Sequence, residues 1–234
     1  VKGRAAAGLG ELGDTEAVPM LIEAVWDENQ WVQKAAVQAL GKLRTPEAVE
    51  TLGEAARIDN VALQTACVDA LIEIGSDDAI PTLVDLLESP NLVLRNKATE
   101  ALVALGRAGR VNLARMLVLM MNSPDVNVRR AVIEIINEVG DADGTLWKRL
   151  VRHLRDEDWW VRERATEVLV NISGTQITEH VIELLGDRSD IVRRYAVEVL
   201  IRLKDLRAVA PLAKAAKEDD DWWVQERAIE ALGD

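Results

Sequence analysis

Residues 32–40 read VQKAAVQAL, with apolar side chains at Val32, Ala36 and Leu40. Apolar residues four positions apart fall on one face of an α-helix, so this stretch predicts an amphipathic helix. Asn29 stands three positions before it, where a side-chain oxygen can accept the unpaired N–H groups of a first helical turn. The stretch therefore combines a helical pattern with a signal for the start of a helix.

The same pattern recurs along the whole chain. Copies begin at positions 1, 32, 63, 94, 128, 161, 192 and 224, at intervals of 31 to 34 residues. Glycines stand where four of these helices should end, as is common after a helix C-terminus: Gly13, Gly75, Gly106 and Gly140. A preferred N-cap residue precedes seven copies: Asn29, Asn60, Asn91, Asp125, Asp158, Ser189 and Asp221. So steady a period indicates a repeat architecture.

A second helical pattern lies between the copies. Its clearest forms are AVPMLIEAV at 17–25, AIPTLVDLL at 79–87 and AVAPLAKAA at 208–216. Proline near the start is compatible with a helix, because the first N–H groups have no intrahelical partner. Each repeat thus has a first helix, a turn and a second helix, the second being the 32–40 pattern. Stacked pairs share a core, so we expect one all-α domain over 1–234, a right-handed superhelix of seven to eight helical hairpins.

Residues 14–45, which begin DTEAVPMLIEAV, resemble the HEAT-like repeats first described in phycobilisome lyases. They are also similar to the artificial binding scaffolds built from a consensus of such repeats. The resemblance covers essentially the whole chain and is weakest over 105–127. It implies a HEAT/armadillo-like solenoid whose second helices line a concave face. In the artificial scaffolds, positions on these helices are varied to change the binding partner.

Composition narrows the classes of partner. The formal net charge is -12 and the sequence pI is about 4.8. Binding to nucleic acid or to an anionic membrane needs clustered lysine and arginine, so we expect neither kind of partner. The single cysteine allows no intrachain disulfide, which fits a cytoplasmic location.

The residues that could support chemistry do not form a recognisable site. Cys67 falls in a column otherwise filled mainly by alanine, which predicts an inert buried thiol. His153 and His180 lie on first helices of different repeats, and we expect them to be surface or half-buried side chains. The DADG run at 141–144 lacks the remaining ligands of a calcium loop. The GLGELG run at 8–13 lies at a helix end, which favours helix packing over dinucleotide binding. The sequence therefore predicts no catalytic residue, no metal and no cofactor.

Packing alone does not require tryptophan at several of the positions where it occurs. Trp31, Trp160 and Trp223 occupy the position directly before the second-helix pattern, and Trp159 and Trp222 occupy the one before that. Tryptophan, tyrosine and arginine are enriched in binding hot spots. The alternative is that the rings lie flat over the next repeat and have a structural role. Our expected partner-binding residues are Trp31, Trp159, Trp160, Arg164, Ile191, Arg194, Tyr195, Trp222, Trp223 and Arg227.

The leading functional prediction is a non-catalytic protein–protein interaction scaffold that binds its partner on the concave face of the last three repeats. The resemblance to phycobilisome lyases keeps an alternative open, an accessory subunit of an enzyme such as a chromophore lyase. The net negative charge of the chain disfavours a basic groove like that of HEAT-like DNA glycosylases. The named face has a net charge of -3, so we expect a partner with an apolar or basic patch. Its three arginines (164, 194 and 227) face Glu163, Glu167, Asp190, Glu198, Glu226 and Glu230.

Overall fold

The computed structural model describes residues 1–108, 111–140, 144, 146–172 and 175–233. Within these residues there are fifteen α-helices and no β-strand, which confirms the all-α prediction. Eight helices begin at or near the repeated pattern, as expected for second helices. They are α1 (Lys2–Leu12), α3 (Gln30–Leu43), α5 (Val61–Ile74), α7 (Leu92–Arg107), α9 (Val126–Val139), α11 (Trp159–Ile172), α13 (Asp190–Leu203) and α15 (Trp222–Gly233).

The seven first helices alternate with them and are shorter. They are α2 (Val18–Ala24), α4 (Val49–Ala55), α6 (Ile80–Asp85), α8 (Val111–Met120), α10 (Trp147–His153), α12 (Thr175–Leu184) and α14 (Val209–Glu218). A 3-10 turn leads into four of them: Thr15–Ala17, Pro46–Ala48, Asp77–Ala79 and Leu206–Ala208. A further 3-10 turn, Leu86–Glu88, follows α6. Proline lies at the first or second position of α2, of the Pro46–Ala48 turn and of α6, where it costs no helical hydrogen bond, as the sequence predicted.

Most second helices start at the predicted N-cap. The Asn29 side chain accepts the Trp31 N–H at 2.9 Å, and the Asp125 carboxylate accepts the Asn127 N–H at 2.8 Å. Equivalent bonds form at Asn60, Asn91, Asp158 and Asp221. Ser189 precedes α13 as predicted, but its hydroxyl makes no capping bond.

The helix ends follow the glycine signals only in part. Gly13 and Gly75 close α1 and α5 with φ of 72° and 63°, in the left-handed region that glycine enters without a steric penalty. The prediction for Gly106 is wrong, because α7 continues through Arg107. Arg44 and Lys204 adopt the left-handed conformation at φ 52° without being glycines, and no sequence signal marked them.

The chain forms two compact units, residues 1–117 and 118–234, with the boundary inside α8. In the first unit α3 packs between α1 and α5, and α7 packs on α5. In the second unit α9, α11, α13 and α15 pack in chain order, and the first helices of that unit pack beside them. A single continuous array over 1–234 stays a prediction.

The predicted apolar stripe forms the core of each unit. Val32, Ala36 and Leu40 are buried, and so are the equivalent Val161, Ala165 and Leu169. Close helix contacts also need small residues outside the stripe. A Cβ at Gly10 would lie 2.7 Å from the Ala39 Cα. Gly10 of the 8–13 run therefore serves helix packing, as the sequence predicted for this run.

We expect Ala36→Leu to lower the free energy of unfolding by about 1–3 kcal/mol, because extra methylenes in a filled core force neighbouring side chains apart. Cys67 is the matched control, since it is equally buried in the same column, where alanine is the usual residue. Cys67→Ala should cost less than Ala36→Leu in urea denaturation. A loss of folding in Cys67→Ala would contradict a simple packing role for the thiol.

Candidate functional site

Acidic loops hold the starts of α11 and α15. The carboxylates of Asp156 and Asp219 accept the N–H groups of Asp158 and Asp221 at 3.0 and 2.9 Å. Asp158 and Asp221 in turn accept the N–H groups of the third residue of each helix, at 3.0 and 3.1 Å. These bonds fix the direction in which the chain enters each helix, and so they fix the tryptophan pair that follows.

Arginines of the preceding second helix tie these loops to the stack. Arg130 in α9 donates to Asp158 at 3.0 and 2.6 Å, and Arg194 in α13 donates to Asp221 at 3.2 and 2.6 Å. Hydrogen bonding to these arginines holds the pKa of Asp158 and of Asp221 below its ordinary value. Both carboxylates are therefore ionised at neutral pH and form part of the helix start.

The same arginines lie against tryptophan rings. The Arg130 and Arg164 guanidinium carbons lie 6.0 and 5.3 Å from the centre of the Trp160 ring. Arg194 and Arg227 both lie 5.8 Å from the centre of the Trp223 ring. Cations at these distances are attracted by the electron-rich ring face. Trp160 and Trp223 are accordingly half-buried and held in place, which fits the structural alternative for these two rings.

The neighbouring tryptophans differ. Trp159 and Trp222 are 62% and 67% exposed, although each is adjacent in sequence to a half-buried ring. Ile191, at the start of α13 between them in the stack, is 43% exposed. Each of the last three second helices thus has a large apolar side chain in solvent within its first two residues. We call Trp159, Ile191 and Trp222 the apolar edge.

The predicted arginines are already engaged by carboxylates. Arg164 lies 3.0 Å from Glu134 and 2.5 Å from Glu167, and Arg227 lies 3.1 Å from Glu198 and 2.5 Å from Glu230. Arg194 pairs with Asp190 at 3.5 Å as well as with Asp221. These arginines therefore orient rings and join neighbouring helices, a role that sequence spacing did not reveal.

A groove of about 400 Å³ runs between α11, α13 and the start of α15. It brings together four of the predicted residues, namely Ile191, Arg194, Tyr195 and Trp223, and adds two arginines that the sequence reasoning missed. Arg162 could have been noticed because it shares a column with Arg129 and Arg193. The lining residues are Arg162, Glu163, Ile191, Arg194, Tyr195, Glu198, Arg202 and Trp223.

Trp31 belongs to the other compact unit. Its ring is 54% exposed and lies over α1, where a Cβ at Gly3 would fall 1.9 Å from the ring. Glycine at position 3 therefore makes room for the indole. The structure thus places Trp31 against α1 of its own unit.

A larger groove of about 680 Å³ lies between α12 and α14, among the first helices of the second unit. Pro211, Ala215 and Ile182 contribute its apolar surface, with Lys214 and Glu218 at the side. The sequence reasoning did not identify it, because short aliphatic side chains on first helices look like ordinary packing. It contains no aromatic anchor.

The residues considered for chemistry are dispersed. Burial raises the pKa of the Cys67 thiol to about 12, so it is not a thiolate at neutral pH. His153 is buried with its Nδ1 3.3 Å from Asp156, which corrects the expectation of a surface or half-buried side chain. His180 is exposed as expected, and its ring meets Trp147 edge to face.

No group of three or more His, Cys, Asp or Glu in the described ranges could hold a metal ion. Asp141 and Asp143 lie outside the described residues.

The family model for HEAT repeats matches residues 1–72, 113–179 and 178–234, which is well over half of the chain. The chain belongs to the HEAT repeat family. The model for the PBS lyase HEAT-like repeat matches residues 63–89. The HEAT assignment agrees with the resemblance seen in residues 14–45, and it confirms the helical-hairpin solenoid as the fold class.

Solved structures of HEAT-repeat chains agree with this fold. Kap95p, from a complex with RanGDP, shares 14% identity at a TM-score of 0.61, over 99% of this chain but only 36% of its own length. The archaeal HEAT-like repeats protein from Thermococcus onnurineus NA1 shares 16% identity at a TM-score of 0.50, over 100% of this chain and 96% of its own. The complex of CpcE and CpcF of phycocyanin lyase from Nostoc sp. PCC7120 is more distant in structure, with 18% identity, a TM-score of 0.43, and coverage of 92% and 93%. At these identities the similarity concerns the fold alone.

A search of the curated proteins returned no significant match. Among the described helices of this HEAT-repeat chain, none has both the length and the apolar character needed to cross a bilayer.

Proposed function

We propose that this chain is a non-catalytic protein-interaction scaffold whose partner binds across the second helices α11, α13 and α15. The observation that carries the proposal is the apolar edge, three large apolar side chains exposed within the first two residues of successive second helices. Side chains of this kind scattered singly need no explanation, but an aligned set beside a groove is typical of an interaction site. By resemblance to other HEAT-like repeats, this face is the concave one.

An apolar patch is the partner chemistry that the side-chain pairing favours. Arg164, Arg194 and Arg227 are each held by two carboxylates of this chain, which leaves few of the charges on this face unpaired. The indoles of Trp159 and Trp222 are largely exposed, and no arginine or lysine of the described residues lies over them. Exposed carboxylates such as Glu157 and Glu226 would favour basic residues around the apolar contact.

Family membership supports the same proposal. Kap95p, a HEAT-repeat chain, binds another protein, RanGDP. Stacked repeats present a long row of equivalent helix positions, which suits recognition of a large surface. We also propose, from the single cysteine, a cytoplasmic location, and, from the acidic balance, neither nucleic acid nor membrane as partner.

An accessory subunit of a chromophore lyase is the second candidate, favoured by the PBS lyase HEAT-like match at 63–89. In that case, the captured partner would be a subunit of a lyase or a chromophore-bearing protein. An absorbing cofactor that copurifies with the complex would distinguish this candidate from a general scaffold.

The proposal is tested by affinity capture with the full chain and with the double variant Trp159→Ala/Trp222→Ala. We expect the double variant to lose its partner, since both exposed anchors of the edge are removed. Trp26→Ala is the matched control, because Trp26 is a half-exposed tryptophan of the other compact unit and away from the second-helix columns. Partners retained by the double variant but lost by Trp26→Ala would place the binding surface elsewhere.

A further inference from the structure

One arginine of the groove lacks the partner that its equivalents have. Arg129 and Arg193 occupy the second position of the repeated pattern and form two hydrogen bonds each to a carboxylate of the next loop. The acceptors are Asp156, at 2.9 and 2.9 Å, and Asp219, at 2.8 and 2.9 Å. Arg162 is in the same column between them, yet among the described residues it pairs with no carboxylate.

The reason lies in the next loop. Asp187 stands where Asp156 and Asp219 stand in their repeats, but Arg155 takes its carboxylate through two bonds at 2.9 and 2.5 Å. The other Asp187 oxygen accepts the Ser189 N–H at 2.9 Å. The carboxylate that would neutralise Arg162 is therefore paired with Arg155 instead.

Arg162 instead faces the groove. One of its terminal nitrogens donates to the carbonyls of Asp156 and Glu157 at 2.6 and 3.0 Å. Its guanidinium lies 5.3 Å from the centre of the Tyr195 ring, and its Nε is buried with no hydrogen-bond partner. A guanidinium has five N–H donors, and the second terminal nitrogen of Arg162 makes no hydrogen bond to the described residues, so it retains hydrogen-bonding capacity beside the groove.

The other charges of the groove neutralise one another. Arg202 lies 2.8 Å from Glu198 and 3.8 Å from Glu163, and Arg194 is paired with Asp221. Arg162 is thus the lining arginine without a carboxylate in the described part of the chain, and it lies close to an apolar wall formed by Ile191, Tyr195 and Trp223.

We propose that this groove binds an extended segment of the partner that places one aspartate or glutamate side chain against Arg162 and an apolar side chain against Ile191 and Trp223. The proposal rests on the proposed function and makes it specific. A carboxylate at the second terminal nitrogen of Arg162 would supply a charge-assisted hydrogen bond of the kind that Asp156 and Asp219 supply to the same nitrogen of the equivalent arginines.

The chain itself provides a conservative variant. Gln225 occupies the same column in the last repeat, and its side-chain nitrogen donates to the Asp219 carbonyl at 2.8 Å. Arg162→Gln should therefore keep the bond to the loop carbonyl while removing the positive charge. Arg188→Gln removes the same charge from an exposed residue that does not line the groove, and it serves as the control.

The experiment selects phage-displayed random peptides, with no free C-terminal carboxylate, on the full chain and on the two variants. Selected sequences are then measured as C-terminally amidated peptides by fluorescence polarisation. We expect aspartate or glutamate beside an apolar residue to be enriched on the parent and on Arg188→Gln, but not on Arg162→Gln. Replacing the selected acid by its amide should weaken binding to the parent about tenfold and leave binding to Arg162→Gln unchanged. Thermal melting of Arg162→Gln verifies that it is folded.

Selections without an acidic preference, a preference that persists on Arg162→Gln, or no selected peptide at all would overturn the inference. Peptides that lack an acid but still lose binding in Trp159→Ala/Trp222→Ala would overturn it while supporting the proposed function. Acidic peptides that need Arg162 but are indifferent to the double tryptophan variant would support the groove and contradict the apolar edge.

Discussion

Arg129→Met is expected to lower the free energy of unfolding by about 3–5 kcal/mol, the range typical of removing one partner of a buried ion pair. The side chains of Arg129 and Asp156 are only 8% and 6% exposed. Arg129 also donates to the loop carbonyls of Ser123 and Pro124 at 3.0 and 3.2 Å. Methionine keeps much of the apolar stem but leaves the Asp156 carboxylate buried without its cation, and urea denaturation of the full chain measures the loss.

The matched control is Arg155→Met. Arg155 makes a similar pair of bonds to Asp187, but its side chain is 46% exposed, so water can replace the arginine. Its loss should stay within about 1 kcal/mol, as for most exposed ion pairs. Equal losses in the two variants would mean that burial does not determine the strength of these loop contacts.

The effect of Arg129→Met should depend on pH. Burial by itself raises the pKa of Asp156, but hydrogen bonds from Arg129, the Asp158 N–H and His153 together hold it below its ordinary value of 3.8. A carboxyl whose pKa is lowered by folding stabilises the fold above its unfolded pKa and loses that contribution as pH falls through the folded value. The difference between the parent and Arg129→Met should therefore be largest near neutral pH and narrow in acid below about pH 4.

Trp222→Ala and Trp223→Ala are expected to separate binding from folding. Trp222 is largely exposed, so its removal should change the free energy of unfolding by no more than about 0.5 kcal/mol. If the apolar edge is the site, the same change should weaken partner binding by about 2 kcal/mol or more. Trp223 lies against Arg194 and Arg227, and its loss should cost both affinity and about 1–2 kcal/mol of fold stability.

The measurements are the affinity for the captured partner and the melting temperature of each variant. Trp159→Ala and Trp160→Ala repeat the comparison at the start of α11, where the same exposed and half-buried pair occurs. Unchanged affinity in Trp159→Ala and Trp222→Ala would remove the apolar edge from the site. A drop in melting temperature confined to Trp160→Ala and Trp223→Ala would then show that those rings stabilise the packing of the helices and do not contribute to binding.

Local signals predicted the secondary structure well, because the interactions behind them are local. A side chain such as Asn29 caps the N–H group two residues away, and residues four positions apart share a helix face in any helix. The failures occurred at helix C-termini. Gly106 lies inside α7, which continues one residue beyond it, and Arg44 closes α3 in a conformation that glycine usually adopts.

The candidate site was harder to predict because it depends on exposure and on pairing between repeats. Trp222 and Trp223 are adjacent, and sequence spacing placed both in the binding set. In the folded chain one indole is in solvent and the other is held by two arginines. The arginines named as binding residues proved to be paired with carboxylates contributed partly by neighbouring repeats, about 27 to 30 residues away in the chain.

The sequence by itself determined the repeat period, the alternation of first and second helices, the starts of the helices and the side chains that line the core. Each of these follows from the spacing of apolar residues and from capping groups within a few positions of one another. Only the tertiary structure decided which charges remain unpaired. Arg129, Arg162 and Arg193 are equivalent in sequence, but the carboxylate expected for Arg162 is taken by Arg155, because stacked repeats bring both arginines towards the same loop. Competition of this kind depends on distances between side chains far apart in the sequence, and the repeat pattern does not specify them.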